Sequence, residues 1–347
     1  HLTHLMFALL HFRIECAVQN KIISSGSAIE VNAANDIVIN ANGILSTTNS
    51  GSVVPSFGIV AASSGGKVTI NTSGEIQTLT TAISNAIHIF AESDILINNN
   101  ASLSTYLGGG IIVISNSGDI EIQHEGAIDI TQGGDGIHVI APNGFVNLFS
   151  GQKWSSVSGS NDNNAGIQAI AGQSVTINWT GDISSTGHLA TALYAMSETA
   201  GVSVITKGDV RANGGSGDGI FLSGPTILTA NILGGSVVGA DSPSLSAGLR
   251  FVGGTENKVN NHGSISSSSF VAIDTGDGNE TIDNHGQIGG SIDLGAGTNV
   301  IENRSGALLV THNDLKVGEG NFLNNHGHLQ IGELGEETLT TTMVGNL

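Results

Sequence analysis

Three charged side chains in the C-terminal third of the sequence are spaced so that they could cleave a glycosidic bond. Asp274 and Asp293 occupy the same position in successive copies of a repeat, and Arg250 occupies it one copy earlier. Two carboxylates can supply the acid and the base for sugar hydrolysis. Stacked aspartates are also expected on the solvated face of a repetitive fold. We favour that interpretation and predict no catalytic residue, because most copies of the repeat lack a basic residue.

A second candidate is a set of histidines, His262, His285 and His326, that each precede a glycine. Stacked histidines could bind a metal ion or titrate near pH ~6.5. The copy between the last two carries Arg304 and Ser305 instead, which interrupts the set. Because a ligand or catalytic residue should be singular and these recur with the repeat, we assign them to the scaffold. We predict neither a metal site nor a cofactor, and the single cysteine, Cys16, excludes a disulfide framework.

Asparagines recur one residue after an aliphatic position that we expect to be buried. If successive copies stack, these side-chain amides lie above one another and can hydrogen-bond along the stack. We therefore predict a structural ladder of six asparagines: Asn40, Asn71, Asn98, Asn178, Asn260 and Asn324.

Two aromatic residues stand out on a face that we expect to be wet. In the pattern small-Ile-x-Val, the third position should point outward because side chains alternate along a strand. Tyr194 and Phe221 occupy this position in consecutive copies and are the only aromatic neighbours there. They are a candidate contact patch for a sugar or a protein.

Two patterns that alternate along the chain define the elements that position these residues. The first reads INTSGEI at 70–76 and VNNHGSI at 259–265, and the second reads GIHV at 136–139. When each copy is anchored on its small residue, the spacing ranges from 31 (Gly43 to Gly74) to 20 (Gly286 to Gly306). Fixed-order repetition of this kind is the signature of a solenoid.

Each copy contains about three short alternating strands, and nothing between copies is long enough for a crossover helix. The sequence therefore predicts an all-β, single-stranded parallel β-helix of about 12 rungs, each 20–31 residues long. We place it at residues 21–335. Residues 1–20 are assigned to an N-terminal extension or cap that could be a signal-peptide remnant. Residues 336–347 are assigned to a truncated further rung or a linker.

Composition and charge exclude several classes of protein. The chain has 50 glycines but only 4 prolines, unlike collagen or a proline-rich linker. Its 10 basic and 29 acidic residues give a formal charge of −19. A surface of that sign repels phosphate backbones, so we predict no nucleic-acid partner.

Copies such as TGDISSTGHLATALYAMS (180–197) and KGDVRANGGSGDGIFLSG (207–224) resemble the passenger regions of Gram-negative autotransporters. The shorter Asp- and Gly-rich copies at 274–308 are similar to rungs near the end of many passengers. The resemblance covers about residues 21–335. It implies a right-handed coil at the cell surface or outer membrane, or secreted, with roles in adhesion, aggregation or biofilm formation. It also implies an outer-membrane β-barrel translocator, a partner that is absent from these 347 residues.

Two functions remain open at this point. The first is an adhesin or structural stalk that binds a protein or glycan on a host or neighbouring cell and catalyses nothing. The second is a secreted β-helical polysaccharide lyase or hydrolase, which needs a singular cluster of acids with Arg or Lys in a groove. We favour the first.

Overall fold

The computed structural model describes residues 14–48, 55–151, 156–159, 164–242, 246–312, 314–332 and 342–344. These residues form a parallel β-solenoid of about 11 turns, which confirms the predicted fold class and rung number. Within this described part there is no helix, and hence none that could cross a lipid bilayer.

The strands follow one another along the chain with short turns between them. The first twelve are β1 (Ile14–Ser24), β2 (Ile29–Ala33), β3 (Ile37–Thr47), β4 (Ile59–Ser63), β5 (Val68–Thr78), β6 (Ile87–Ala91), β7 (Ile95–Leu107), β8 (Ile111–Ser115), β9 (Ile120–His124), β10 (Ile128–Gln132), β11 (Ile137–Ala141) and β12 (Val146–Ser150). The next eleven are β13 (Val157–Gly159), β14 (Ile167–Ala171), β15 (Val175–Thr180), β16 (Ile183–Ser185), β17 (Leu193–Ser197), β18 (Val202–Lys207), β19 (Val210–Ala212), β20 (Ile220–Gly224), β21 (Ile227–Ile232), β22 (Ser236–Gly239) and β23 (Leu249–Gly253). The last ten are β24 (Glu256–Asn261), β25 (Ser264–Asp274), β26 (Asn279–Asn284), β27 (Gln287–Asp293), β28 (Val300–Asn303), β29 (Leu308–Thr311), β30 (Asp314–Lys316), β31 (Phe322–Asn325), β32 (His328–Ile331) and β33 (Thr342–Val344).

These strands stack in three parallel rows. The first row runs through the N-terminal halves of β1, β3, β5 and β7 and then through β9, β12, β15, β18, β21, β24, β26, β28 and β31. The second row begins in the C-terminal halves of the same four long strands and continues through β10, β13, β16, β19, β22, β25, β27, β29 and β32. The third row runs from β2 through β4, β6, β8, β11, β14, β17, β20 and β23, and then through the ends of β25 and β27 to β30 and β33.

The core consists of aliphatic side chains stacked from turn to turn. In the third row, Ile87, Ile111, Ile137 and Ile167 pair in succession and are fully buried. Because successive strand residues point to opposite faces, every second residue joins this core. Burying one such side chain stabilises the fold by roughly 1.5–3 kcal/mol. A single hydrophobic cluster extends from Cys16 to Leu323.

The first turns are built differently from the three short strands that the repeat predicted. Strands β3 and β5 each run unbroken for 11 residues through the anchor glycines Gly43 and Gly74. Gly74 has a φ of +99°, and a Cβ atom there would lie 2.3 Å from the carbonyl oxygen of Gly43. Glycine is required at this position because the backbones of consecutive turns touch.

The stack also begins earlier than predicted, since the boundary placed between residues 20 and 21 falls inside β1. Cys16 and Val18 of β1 pair with Ile39 and Ala41 of β3. The alternation of buried and outward residues therefore extends into residues 14–20, where the sequence pattern of the repeat is weaker. Residues 1–13 lie outside the described part of the chain. In the predicted C-terminal segment 336–347, only β33 is described, and it pairs with β30.

Candidate functional site

The strands of the third row present alternate residues to solvent, and in each turn one of these outward positions is in register with Tyr194 and Phe221. The register stacks these residues, here called the outward row, in this order: Glu30, Val60, His88, Ile112, His138, Gln168, Tyr194, Phe221, Arg250, Asp274, Asp293 and Lys316. The two aromatic residues, Arg250 and the two acidic candidates singled out from the sequence are therefore consecutive members of one row. Gln168 and Arg250 flank the aromatic pair.

Tyr194 and Phe221 stack on each other at the centre of this row. Their ring centroids are 4.9 Å apart and the ring planes differ by 4°. Both side chains are half-buried. The hydroxyl of Tyr194 lies 3.5 Å from the sulfur of Met196 on the same strand, and burial raises the pKa of the phenol. Parallel rings at this distance restrict each other, so the pair presents a fixed apolar surface.

A shallow groove of about 440 Å³ runs beside the aromatic pair. The other wall is formed by the turns before β17 and β20, with Leu189, Thr191 and Ser216. Leu189 is 49% exposed. The groove thus combines apolar side chains with hydroxyl and amide groups, the composition typical of small-ligand sites.

A buried aspartate fixes one end of the groove. Asp218 is only 5% exposed. Its Oδ1 accepts a hydrogen bond from the backbone N–H of Ala247 (2.6 Å), and its Oδ2 accepts one from Nε of Arg250 (3.0 Å). Burial raises the pKa of this carboxyl, while the guanidinium opposes the rise. Asp218 therefore joins two turns and orients Arg250 next to Phe221.

The same arrangement recurs two turns before Tyr194 in the outward row. Asp135 Oδ1 accepts a hydrogen bond from the backbone N–H of Ala165 (2.6 Å), and Oδ2 lies 2.6 Å from Nδ1 of His138. In an earlier turn, Asn85 contacts both Gly109 N and His88 Nδ1. These residues, which precede the third-row strand at a corner of the solenoid, each contact a backbone N–H of the next turn and a side chain of the outward row. Of the two residues that flank Tyr194 and Phe221, Arg250 is held in place in this way before any ligand arrives.

The acidic candidates lie just beyond Arg250. Its guanidinium contacts both Asp218 and Asp274, and the ammonium of Lys316 lies 3.1 Å from Asp293. Burial raises the pKa of the Asp274 carboxyl, and the charge of Arg250 opposes the rise. Asp274 and Asp293 are neighbours in register, as the sequence indicated. Each is neutralised by a basic partner within the row.

The predicted asparagine ladder is formed over its first three members. Asn71 Nδ2 donates to Asn40 Oδ1 (2.8 Å), and Asn98 Nδ2 donates to Asn71 Oδ1 (2.9 Å). The other three asparagines do not continue it. Asn178 lies between Phe149 and Ile205 in the register, Asn260 bonds to Asn231, and Asn324 bonds to Glu302. The reason is that the intervening turns carry residues other than asparagine at this position.

A second amide ladder, which sequence reasoning missed, lies inside the solenoid. Asn261 donates to Asn284 (2.8 Å), Asn284 to Asn303 (2.9 Å) and Asn303 to Asn325 (2.7 Å). The first three are completely buried. The available signal was the second residue of the pairs Asn-Asn, Asp-Asn and Glu-Asn. It follows the outward residue by one position and therefore points inward.

The histidine candidates are only partly brought together. His262 and His285 stack with ring centroids 4.4 Å apart. Arg304 pairs with Asp283, whose carboxylate also lies 3.3 Å from His285 Nε2. Among the described residues, no group of three His, Cys, Asp or Glu side chains is arranged to hold a metal ion.

One histidine that the sequence did not single out is buried in the core. His124 is fully buried and stacks near Trp179, with ring centroids 5.9 Å apart. Asn99 Nδ2 lies 2.6 Å from its Nδ1, and the other ring nitrogen, Nε2, has no hydrogen-bond partner. Burial lowers the pKa of His124 to about 4.

Comparison of the chain with protein-family models, curated proteins and solved structures found no match. The solenoid fold and the geometry of the outward row are therefore the features that point to a function.

Proposed function

We propose that this chain is a surface-exposed or secreted, passenger-type β-solenoid that acts as an adhesin and catalyses no reaction. It binds a neutral glycan of a host or neighbouring cell in the groove beside Tyr194 and Phe221. The observation that carries the proposal is the rigid aromatic pair, stacked at 4.9 Å and flanked on one side by Arg250, which the buried Asp218 holds in place.

The chemistry of the groove favours a neutral sugar. Aromatic side chains offer apolar contact to the C–H groups of a sugar ring, while Thr191, Ser216 and Gln168 can bond its hydroxyls. An acidic glycan is disfavoured because the chain carries a formal charge of −19. The resemblance to autotransporter passengers supports display on the cell surface, with an outer-membrane β-barrel as the export partner.

The test compares binding of the wild-type chain and a Tyr194→Ala/Phe221→Ala variant to immobilised neutral oligosaccharides. Each aromatic contact contributes about 0.5–1.5 kcal/mol, so we expect the loss of both to lower the affinity by about 5- to 150-fold. The matched control is Phe90→Ala/Tyr106→Ala, which removes the same two residue types at exposed positions (39% and 37%) outside the groove. Equal affinities of the two variants, or binding to cell-surface proteins alone, would refute the assignment.

A polysaccharide lyase or hydrolase is the second candidate, and one observation favours it. Arg250 lies between two carboxyls, those of Asp218 and Asp274, whose pKa values are both raised by burial. An acid of raised pKa beside a cation can serve proton transfer. Incubation with a panel of acidic polysaccharides separates the two functions. Reproducible cleavage that is lost in Asp274→Asn would establish the enzyme and overturn the adhesin.

A further inference from the structure

Two buried side chains in the C-terminal turns leave an oxygen atom each without a partner. Asn257 of β24 and Glu280 of β26 face each other across consecutive turns and are 0% and 1% exposed. Asn257 Nδ2 donates to Glu280 Oε1 (2.9 Å) and to the carbonyl oxygen of Gly253 (3.1 Å). Asn257 Oδ1 and Glu280 Oε2 remain buried with no hydrogen-bond partner.

These two orphan atoms belong to side chains that are already hydrogen-bonded to each other. When Glu280 is ionised, both atoms are acceptors, and neither can satisfy the other. A proton on Oε2 changes that atom from an acceptor into a donor. We propose that Asn257 and Glu280 form a buried proton-binding site, in which the protonated Oε2 of Glu280 donates to Oδ1 of Asn257. The two hydrogen bonds then close an acid–amide ring that joins one turn to the next, here called the latch.

The electrostatic surroundings favour the neutral acid. Burial raises the pKa of Glu280 to about 7, and the negative charge of Asp277 acts in the same direction. On the flanking strands, Glu256, Lys258 and Glu302 alternate with buried residues and lie on the outer face. Among the described residues, no cation is placed to stabilise an ionised Glu280.

The close packing of the site suits a proton better than a metal ion. A Cβ atom on Gly278 would lie 2.7 Å from Glu280 Oε1 and 2.8 Å from Asn257 Nδ2. A Cβ atom on Gly254 would lie 1.9 Å from Asn257 Oδ1. The glycines of the two turns thus enclose the pair directly, and the backbone N–H of Glu280 is taken by Asn299 Oδ1 (3.0 Å).

The latch makes the stability of these turns depend on pH. Below the ordinary pKa of about 4.5, Glu280 is neutral in both folded and opened chains. As pH rises from there to about 7, the opened chain releases the proton and the folded chain keeps it, so folding is progressively disfavoured. The folding equilibrium constant of this region is expected to fall by about 300-fold by pH 8.

The decisive variant is Glu280→Gln, because a glutamine amide can make both hydrogen bonds without a proton. We expect the wild-type chain to lose protection of the β24 and β26 amides against hydrogen exchange between pH 5 and pH 8, after correction for the intrinsic exchange rate. The Gln variant should keep that protection across the range and melt at a higher temperature than wild type at pH 8. The control Glu121→Gln removes a charge from the exposed face of β9 and should leave the wild-type pH dependence intact.

The main observation of a second, independent experiment needs only the wild-type chain. The infrared spectrum of the wild-type chain should show the carbonyl band of a protonated carboxyl at pH 6, lost at pH 9 and absent from Glu280→Gln. Identical pH profiles of wild type and Glu280→Gln would overturn the proposal. So would stabilisation by Ca²⁺ that requires Glu280, because it would identify the bound species as a cation.

Discussion

Replacing Asn284 with leucine tests whether the buried amide ladder holds the C-terminal turns together. Asn284 donates to Asn303 Oδ1 (2.9 Å) and to the carbonyl oxygen of Leu308 (3.2 Å). It accepts from Asn261 Nδ2 (2.8 Å) and from the backbone N–H of Gly286 (3.2 Å). Leucine has a similar volume but makes none of these bonds. Asn261 keeps a second acceptor, the carbonyl oxygen of Gln287.

The magnitude follows from the groups left without a partner. Asn303 Oδ1 and the Gly286 N–H lose the partner that Asn284 provides, and a buried unsatisfied polar group costs about 1–3 kcal/mol. We therefore expect Asn284→Leu to destabilise the solenoid by about 2–6 kcal/mol, measured by urea unfolding followed by circular dichroism. Asn71→Leu is the matched control. It removes two ladder hydrogen bonds on the half-buried outer face, where water can replace them, and should cost at most about 1 kcal/mol. Equal losses in the two variants would refute the distinction between the ladders.

Two further changes test the corners of the solenoid. Gly74→Ala forces a side chain into a left-handed backbone against Gly43, and should cost about 1–3 kcal/mol of strain. Ala101→Gly, at the register partner in the next turn, should cost less, and similar melting temperatures would contradict this account. Asp218→Asn should melt closer to wild type than Asp218→Ala, because Asn keeps the acceptor for the Ala247 N–H. If both variants melt at the same temperature, the corner bond is unimportant.

The sequence predicted those features that depend on the two-residue period of a strand. The order of the outward row, from Glu30 to Lys316, follows directly from the alternation and the spacing of the copies. The ends of the strands at the corners were harder to predict from the sequence, because a turn can either end a strand or let it continue. The unbroken β3 and β5 show this, since their glycines looked like strand ends.

Inward polar residues were missed for a related reason. A hydrophobic pattern assigns apolar residues to the core and polar residues to the surface, so Asn261, Asn284 and His124 had no place in it. Their burial is possible because neighbouring turns supply the hydrogen-bond partners, and only the register reveals those partners. The same limitation concealed the pairing of Asn257 with Glu280.

The two buried titratable groups, His124 and Glu280, should shift the stability of the solenoid in opposite directions. His124 has a folded pKa of about 4 against an ordinary value of 6.5, so the unfolded chain binds the extra proton between these values. Its contribution to stability is complete above pH ~6.5 and is lost as pH falls toward 4. Glu280, with a pKa raised from 4.5 to about 7, makes stability fall as pH rises over a nearly coincident window.

Each group changes the free energy of unfolding by about 1.4 kcal/mol per pH unit in its window. Between pH ~4.5 and ~6.5 the two slopes therefore cancel, and these sites together leave wild-type stability nearly constant. His124→Asn keeps an acceptor for Asn99, as the asparagines of the buried ladder do, but removes the titrating ring. Its melting temperature should fall as pH rises through this window, whereas that of Glu280→Gln should rise. Variant slopes of the same sign would contradict the assignment of opposite protonation preferences to the two sites.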